Sequence, residues 1–352
     1  ETAPHRDCFG CWFTMSVRPR KPSGYWTIVD PGLHTTIQDQ GRVGFRALGV
    51  PVSGVFDWES AALANALVGN PLDAAVLELT LAGGLHAASV PVAFAIAGAP
   101  MSARIEDQDT LRSSRTITPP SSATLLPGQL LRFSPTHHGA RTYLAVHQGF
   151  LTTTTLGSRS GEQPLPAGTR LPIHASRTHP QRPCQDPPTR AFSESAPILD
   201  VGPGPDWFSA PESWRDYWVS VRTCQIETRS NRVGLRLRVP GDPPAPSWIP
   251  AADRLSRPVA PGAVQWTGTS LLVLGPACGT IGGYPQVGQL AEADLDRLAQ
   301  GRPQALLRIR WHNERLGDPV TLWRHRQAQL ARLVWTRLGA QAVVETWDSP
   351  ED

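Results

Sequence analysis

Apolar residues along the chain fall into short runs separated by Gly, Pro and polar residues, a strand-forming pattern. Tyr25-Trp26-Thr27-Ile28-Val29 stops at Asp30-Pro31-Gly32, and similar runs at Val92 to Ala97, Ala123 to Leu126 and Tyr143 to Val146 predict strands of a barrel or sandwich. One helix interrupts them. Asp57 is placed to cap a segment holding Ala61, Ala62, Leu63, Ala64, Ala66 and Leu67, which Gly69-Asn70-Pro71 terminates. Residues 174–195 are rich in Pro and polar side chains without periodicity and predict a linker. Beyond it, Ile198 to Val201, Val233 to Val239 and Leu271 to Leu274 predict the strands of a second lobe. From Pro319 onward, Leu322, Leu330, Leu333 and Leu338 recur at helical spacing with Arg324, Arg326, Arg332 and Arg337 between them, predicting a terminal helix with a solvated basic face.

The expected organisation is a mainly β protein with a few helices: a first lobe over 25–173, a Pro-rich linker over 174–195, a second lobe over 196–312 and a C-terminal helix and tail over 313–352. A length of 352 residues suits two lobes, and 35 Pro, 31 Gly and 12 Trp favour short strands and tight turns. Residues 1–24 lack the apolar core of a secretory signal and are set aside as a disordered or mis-assigned start, with Met15 a candidate first residue. Arg42-Val43-Gly44-Phe45-Arg46 echoes Arg232-Val233-Gly234-Leu235-Arg236, so a duplication of lobes is expected.

Charge narrows the partners. With 33 Lys plus Arg against 30 Asp plus Glu, nothing points to nucleic acid. Residues 258–291 carry no charge, but Pro258, Pro261, Pro276 and Pro285 break any membrane span. Five scattered cysteines in a chain of this size fit a reducing, cytoplasmic setting.

Several polar residues sit in Gly-rich contexts that let a ligand approach closely. Arg42 offers a fork of donors for a carboxylate or phosphate, or ties a turn together. Asp57 is a candidate general base as well as a cap. Gln38 and Asn65 offer neutral hydrogen bonds suited to an amide, as does Asn70, which equally ends a helix. Ser230, Asn231 and Arg232 form a polar triplet that either mirrors Arg42 or makes a turn, and Tyr284 is placed to stack on a ligand or to plug its own turn. Other patterns fail. Gly157-Ser158-Arg159-Ser160-Gly161 lacks the Ser a nucleophile elbow needs, Cys8 and Cys11 are a lone pair, and His137-His138 has no ligand spacing, so no metal site is expected.

An ordered set of blocks carries a family resemblance. These are Gly32 to Gly44 (Gly-Leu-His-Thr-Thr-Ile-Gln-Asp-Gln-Gly-Arg-Val-Gly), Val50 to Asp57, Leu67-Val68-Gly69-Asn70, Leu77-Glu78, Tyr143-Leu144-Ala145-Val146, Leu156-Gly157-Ser158-Arg159-Ser160, Ser230 to Gly234, Gly262-Ala263-Val264-Gln265 and Gly282-Gly283-Tyr284-Pro285. Together they resemble the C subunit of 5-oxoprolinase, also called allophanate hydrolase subunit 2, which is related to the carboxyltransferase part of urea carboxylase. The resemblance implies two cyclophilin-like β-barrel lobes. It also implies a role beside A-type and B-type partner subunits in opening the lactam of 5-oxoproline to glutamate, with ATP and magnesium used in the complex. Phosphorylating the amide oxygen would turn it into a better leaving group. On this reading Arg42 and Asp57 are catalytic, and Gln38, Asn65, Ser230, Asn231, Arg232 and Tyr284 bind substrate. No P-loop is present. The alternatives are a biotin-dependent carboxyltransferase acting on a urea-like acceptor and a scaffold subunit that has lost catalysis. The only lysine, Lys21, has no Met beside it, so any biotin carrier is a separate chain. The family pattern is broken at Ala277, Gly279 and Arg257, where two carboxylates are lost, and in Gly161-Glu162-Gln163-Pro164-Leu165-Pro166.

Overall fold

A computed structural model describes residues 21–110, 112–176, 196–239, 241 and 255–312. The expected terminal helix, most of the expected linker and residues 1–20 lie outside the described residues.

The first lobe contains β1 (Gly24–Asp30), β2 (His34–Gln38), α1 (Trp58–Leu67), β3 (Val76–Thr80), β4 (Leu85–Ala88) and β5 (Val92–Gly98). It continues through β6 (Ala103–Asp107), β7 (Ser113–Ile117), β8 (Ser121–Leu125), β9 (Gln129–Phe133), β10 (Arg141–Val146) and β11 (Arg170–Ile173). These strands form two sheets, ordered β11-β1-β4-β9-β6-β7 and β2-β3-β10-β5-β8. Alternation along the strands sends Trp26, Ile28, Leu77, Leu79, Phe94, Ile96, Leu131 and Leu144 into one shared core.

The outer face of the second sheet is divided in two. Over β5 and β10 it is covered by α1, whose Ala61, Ala62 and Ala64 let the helix pack closely on Ala95, Ala97, Tyr143 and Ala145. Over β2 and β3 it is polar, because pairing sets His34 beside Thr80 and Thr36 beside Glu78, and β10 adds Arg141 beside Thr80 and Tyr143 beside Glu78. That polar half meets the second lobe.

The second lobe contains β12 (Ile198–Pro203), α2 (Glu212–Val219), β13 (Arg222–Ile226), β14 (Gly234–Arg238), β15 (Arg257–Pro258) and β16 (Ala263–Trp266). It continues through β17 (Leu271–Leu274), β18 (Ile281–Gly282), β19 (Gln286–Leu290), α3 (Glu292–Ala299) and β20 (Leu306–Trp311). Seven of its strands close a barrel, β12-β19-β16-β17-β14-β13-β20, sealed by parallel pairing of β12 with β20. Trp207, Trp214, Trp218, Trp266 and Trp311 fill it, with Trp207 and Trp311 stacked at 4.8 Å. The charge-free stretch supplies β16, β17 and β19, and no helix among the described residues is long and apolar enough to cross a membrane.

The expected duplication is not carried by the strand orders. The first lobe has two sheets with antiparallel pairings only, while the second has one barrel with a parallel seam. Its sequence echo falls on unlike structure: Arg42 to Arg46 leads into a 3-10 turn at Arg46–Leu48, whereas Arg232 to Arg236 runs into β14.

Candidate functional site

Chain leaving β2 must turn back at once, and Gly41 makes this possible: its φ is 83°, and a Cβ there would stand 2.4 Å from the Val52 carbonyl oxygen. Just before it, the buried Asp39 carboxylate collects the Ser158 hydroxyl at 2.5 Å, the Ser160 hydroxyl at 2.6 Å and the backbone N–H groups of Arg159 at 2.5 Å and Gly41 at 2.9 Å. Burial works against its charge, but these four donors outweigh burial and hold the Asp39 carboxyl below the usual carboxylate range. Asp39 thereby staples the segment at 158–160 to the end of β2.

Three of the predicted residues converge on the next few positions. Arg42 Nη2 donates to the Ser160 carbonyl at 2.5 Å, Gln38 Nε2 donates to the Gly161 carbonyl at 2.8 Å, and Arg232, from the other lobe, pairs with the Glu162 carboxylate at 2.8 Å. Gln38 also donates to the Thr36 hydroxyl at 3.0 Å, while its Oε1, fully buried, has no partner among the described residues. Buried polar atoms are nearly always paired, so this oxygen is an acceptor available to a bound molecule.

Arg232 is the pivot between lobes. Its Nη1 reaches Glu78 Oε1 at 2.7 Å, and Glu78 also receives Arg141 Nε at 3.2 Å, the Tyr143 hydroxyl at 2.8 Å and the Phe56 N–H at 3.2 Å. Complete burial alone would raise the Glu78 pKa, but Arg232, Arg141 and Tyr143 hold it down, and burial against that carboxylate pushes the Tyr143 phenol up. His34, at the open edge of the same polar face, makes no hydrogen bond through its ring among the described residues. Burial, aided by Arg232 and Arg141 against the pull of Glu78, lowers its pKa and favours the neutral imidazole.

Other predicted residues take structural roles. Asp57 is fully buried and caps α1, accepting from Ser60 N at 3.1 Å, the Ser60 hydroxyl at 2.7 Å and Gln300 Nε2 at 2.7 Å. Of the two roles expected of Asp57, the cap is the one this structure shows. Asn65, also buried, donates to the carbonyls of Leu72 and Ala74 and accepts from the side chain of Asn70, closing the far end of the helix. Ser230 accepts the Arg236 N–H and Asn231 accepts the Val233 N–H, the turn-forming alternative. Both nevertheless line a cleft of about 60 Å³ between the lobes, opposite Thr80 and Arg141. Tyr284 lies beyond β18 and is 48% exposed. Arg257, at a departure position, pairs with Asp206 at 3.2 Å.

A family profile described as carboxyltransferase domain, subdomain A and B, matches residues 48–311. The chain belongs to that family. This carboxyltransferase-domain chain is 32% identical to the 5-oxoprolinase C subunit of Escherichia coli over 292 residues, covering 78% of itself and 86% of that protein. It is 28% identical to the urea amidolyase of Lachancea kluyveri over 80% of its own length but spans only 16% of that much longer enzyme. Its fold superposes on the crystal structure of Kluyveromyces lactis urea carboxylase with a TM-score of 0.74 at 22% identity, covering 91% of this chain and 30% of that one. Within the carboxyltransferase-domain chain, Glu78, Arg141, Glu162 and Gln300, none of them among the expected site residues, bond across the junction, and Asp39 orders the segment beside it. Glu78 was legible as a charge in an otherwise apolar strand. Gln300 carries no local signal, since its partners Ala140, Arg141 and Asp57 lie far away in sequence.

Proposed function

We propose that this chain is one component of an ATP-dependent amide hydrolase of 5-oxoprolinase type, acting with A-type and B-type partner subunits on 5-oxoproline. The supporting observation is the polar seam between the lobes, in a chain that covers 86% of a 5-oxoprolinase C subunit. There, an unpartnered buried carbonyl oxygen on Gln38 lies on the segment that also holds the Arg42 and Arg232 guanidinium groups. A lactam acid needs an acceptor for its N–H and a cation for its carboxylate, and this seam has both. The bond to be broken is a resonance-stabilised amide, which ATP activates by phosphorylating its oxygen. ATP and magnesium are assigned to the assembled complex. The described residues contain no group of three or more His, Cys, Asp or Glu to hold the metal, whereas guanidinium groups suit an anion.

A second reading, transfer of a carboxyl group from biotin to a urea-like acceptor, draws on the similarity to urea amidolyase. A scaffold role draws on the lost carboxylates at Ala277, Gly279 and Arg257. The deciding experiment is conversion of 5-oxoproline to glutamate by this chain with the A and B subunits from the same source, compared with a mixture lacking it. Turnover that requires the chain supports the proposal. A stable complex without turnover, but with biotin-dependent carboxylation of urea, moves the assignment to the second reading, and a complex inert in both assays moves it to the scaffold.

A further inference from the structure

The seam carries a carboxylate of its own where a ligand carboxylate would sit. Glu162 closes the Arg232 fork in bidentate fashion, Oε2 on Nε at 2.8 Å and Oε1 on Nη2 at 3.2 Å, while Glu78 takes Nη1. The two carboxylates are not alike. The Glu78 side chain is 1% exposed and held from four sides, so it cannot leave. The Glu162 side chain is 36% exposed, follows a glycine in a segment without regular structure, and is otherwise held by the Ser53 hydroxyl. Ser53 itself sits at a φ of 59°, a strained conformation for a side chain of its kind.

The surroundings invite an anion. Arg42 bonds the Ser160 carbonyl, Arg46 the carbonyls of Val259 and Gly279, and Arg159 Nε the Thr152 carbonyl, and none of the three has a carboxylate partner among the described residues. All three are half-buried. Arg42, held to a carbonyl two residues before Glu162, thus adds guanidinium charge without a carboxylate partner to the segment that carries this glutamate.

We infer that Glu162 is a built-in pseudo-ligand, which fills the Arg232 fork in the free chain and is displaced into solvent when a small carboxylic acid takes over its two N–H donors. The exchange leaves Arg232 facing two carboxylates before and after, so no buried charge is left unpaired. Glu162 is already partly hydrated, which makes it the member of the pair that can move. Because only the open fraction of molecules binds, the latch weakens apparent affinity in proportion to how often it is closed. The inference takes its ligand class from the proposed function, but its test does not depend on turnover.

The test is calorimetric titration of the full chain, wild type and Glu162→Gln, with 5-oxoproline and with its neutral primary carboxamide. The expected result is that Glu162→Gln binds the acid at least about tenfold more tightly than wild type, with no gain for the carboxamide. Glu162→Asp, which keeps the charge one methylene short, is expected to give a smaller gain for the acid, and it serves alone if circular dichroism shows Glu162→Gln misfolded. Unchanged or weaker binding of the acid by both variants, an equal gain for the carboxamide, or no binding by any of the proteins overturns the latch. A selective gain in a chain that supports no turnover retains the latch and removes the 5-oxoprolinase assignment. Turnover without the gain does the reverse.

Discussion

His86 has both ring nitrogens committed: Nδ1 accepts the Trp26 indole N–H at 3.0 Å and Nε2 donates to the Gly83 carbonyl at 2.7 Å. Only the neutral ring fits, because a second proton on Nδ1 would face the indole N–H inside the core. Burial accordingly lowers its pKa from 6.5 to about 4. The unfolded chain takes up this proton near pH 6.5 and the folded chain only near 4, so the contribution of His86 is intact above 6.5 and is lost as pH falls between those values. The lost stability amounts to about 3 kcal/mol by pH 4. Denaturant titrations at about pH 7 and about pH 4.5 should show most of this loss in wild type and a smaller one in His86→Gln. Equal losses would remove His86 as the cause. Arg42 is a contrasting residue, half-buried with one side-chain bond, so Arg42→Ala should cost under about 1 kcal/mol of stability yet abolish 5-oxoproline binding. Unchanged affinity in a titration would take Arg42 out of the site. Both kinds of residue look alike in a sequence. Arg42, Gln38 and Arg232 stood out in the sequence for their side-chain chemistry, and the fold brings all three to the segment at 160–162, but the saturation of Asp57 and Asn65 depends on partners that only the fold brings near.

At the scale of elements, α1 shows how one short helix serves both lobes. Its N-terminus is satisfied by Asp57 from the first lobe and by Asp296 of α3, which accepts the Trp58 N–H at 2.9 Å. Two carboxylates at one helix start also suit its dipole. Asp57→Ala removes a cap, worth about 1 kcal/mol, and leaves one of the two N–H groups of the buried Gln300 amide without its acceptor, worth about 1–3 kcal/mol more, while the other keeps the Arg141 carbonyl. The expected outcome is a loss of roughly 2–4 kcal/mol by chemical denaturation, with turnover per folded molecule unchanged in the reconstituted assembly. A collapse in turnover without loss of stability would restore Asp57 to catalysis. This helix was readable because a cap, an alanine-rich body and a Gly-Asn-Pro stop all agree. Helices α2 and α3 were not: each has eight residues, neither has a side-chain cap, and the buried positions of α2 are Trp214 and Trp218, which read equally well as strand. Strands were the easier part, since β1, β5, β8, β10, β12, β14 and β17 each coincide with an apolar run.

At the scale of the whole molecule, the lobes are joined by more than surface contact. Phe56 leaves the first lobe and packs within the core of the second, and the Arg141 guanidinium lies 4.8 Å from its ring centre. Beside it, Glu78 accepts from Arg232 of the second lobe and Arg141 of the first, and Gln300 donates to Asp57 and the Arg141 carbonyl. The centre of this junction is charged and buried, so its energetics are governed by what removal leaves behind rather than by the attraction itself. Glu78→Gln would keep the size of the side chain but leave Arg141 with no carboxylate and Arg232 with Glu162 alone. That imbalance should cost roughly 3–5 kcal/mol, far more than a surface pair. Because the cost falls on the joint, it should appear as loss of coupling between lobes. Tryptophan fluorescence is weighted toward the barrel of the second lobe, which holds five of the six buried indoles among the described residues, while far-ultraviolet dichroism reports on both. The two signals should coincide in wild type and separate in Glu78→Gln, with the fluorescence transition moving apart from the dichroism midpoint. Coincident transitions in the variant, or a loss below about 1 kcal/mol, would mean that Phe56 and its apolar surroundings couple the lobes and that the charges at the seam are there for the ligand.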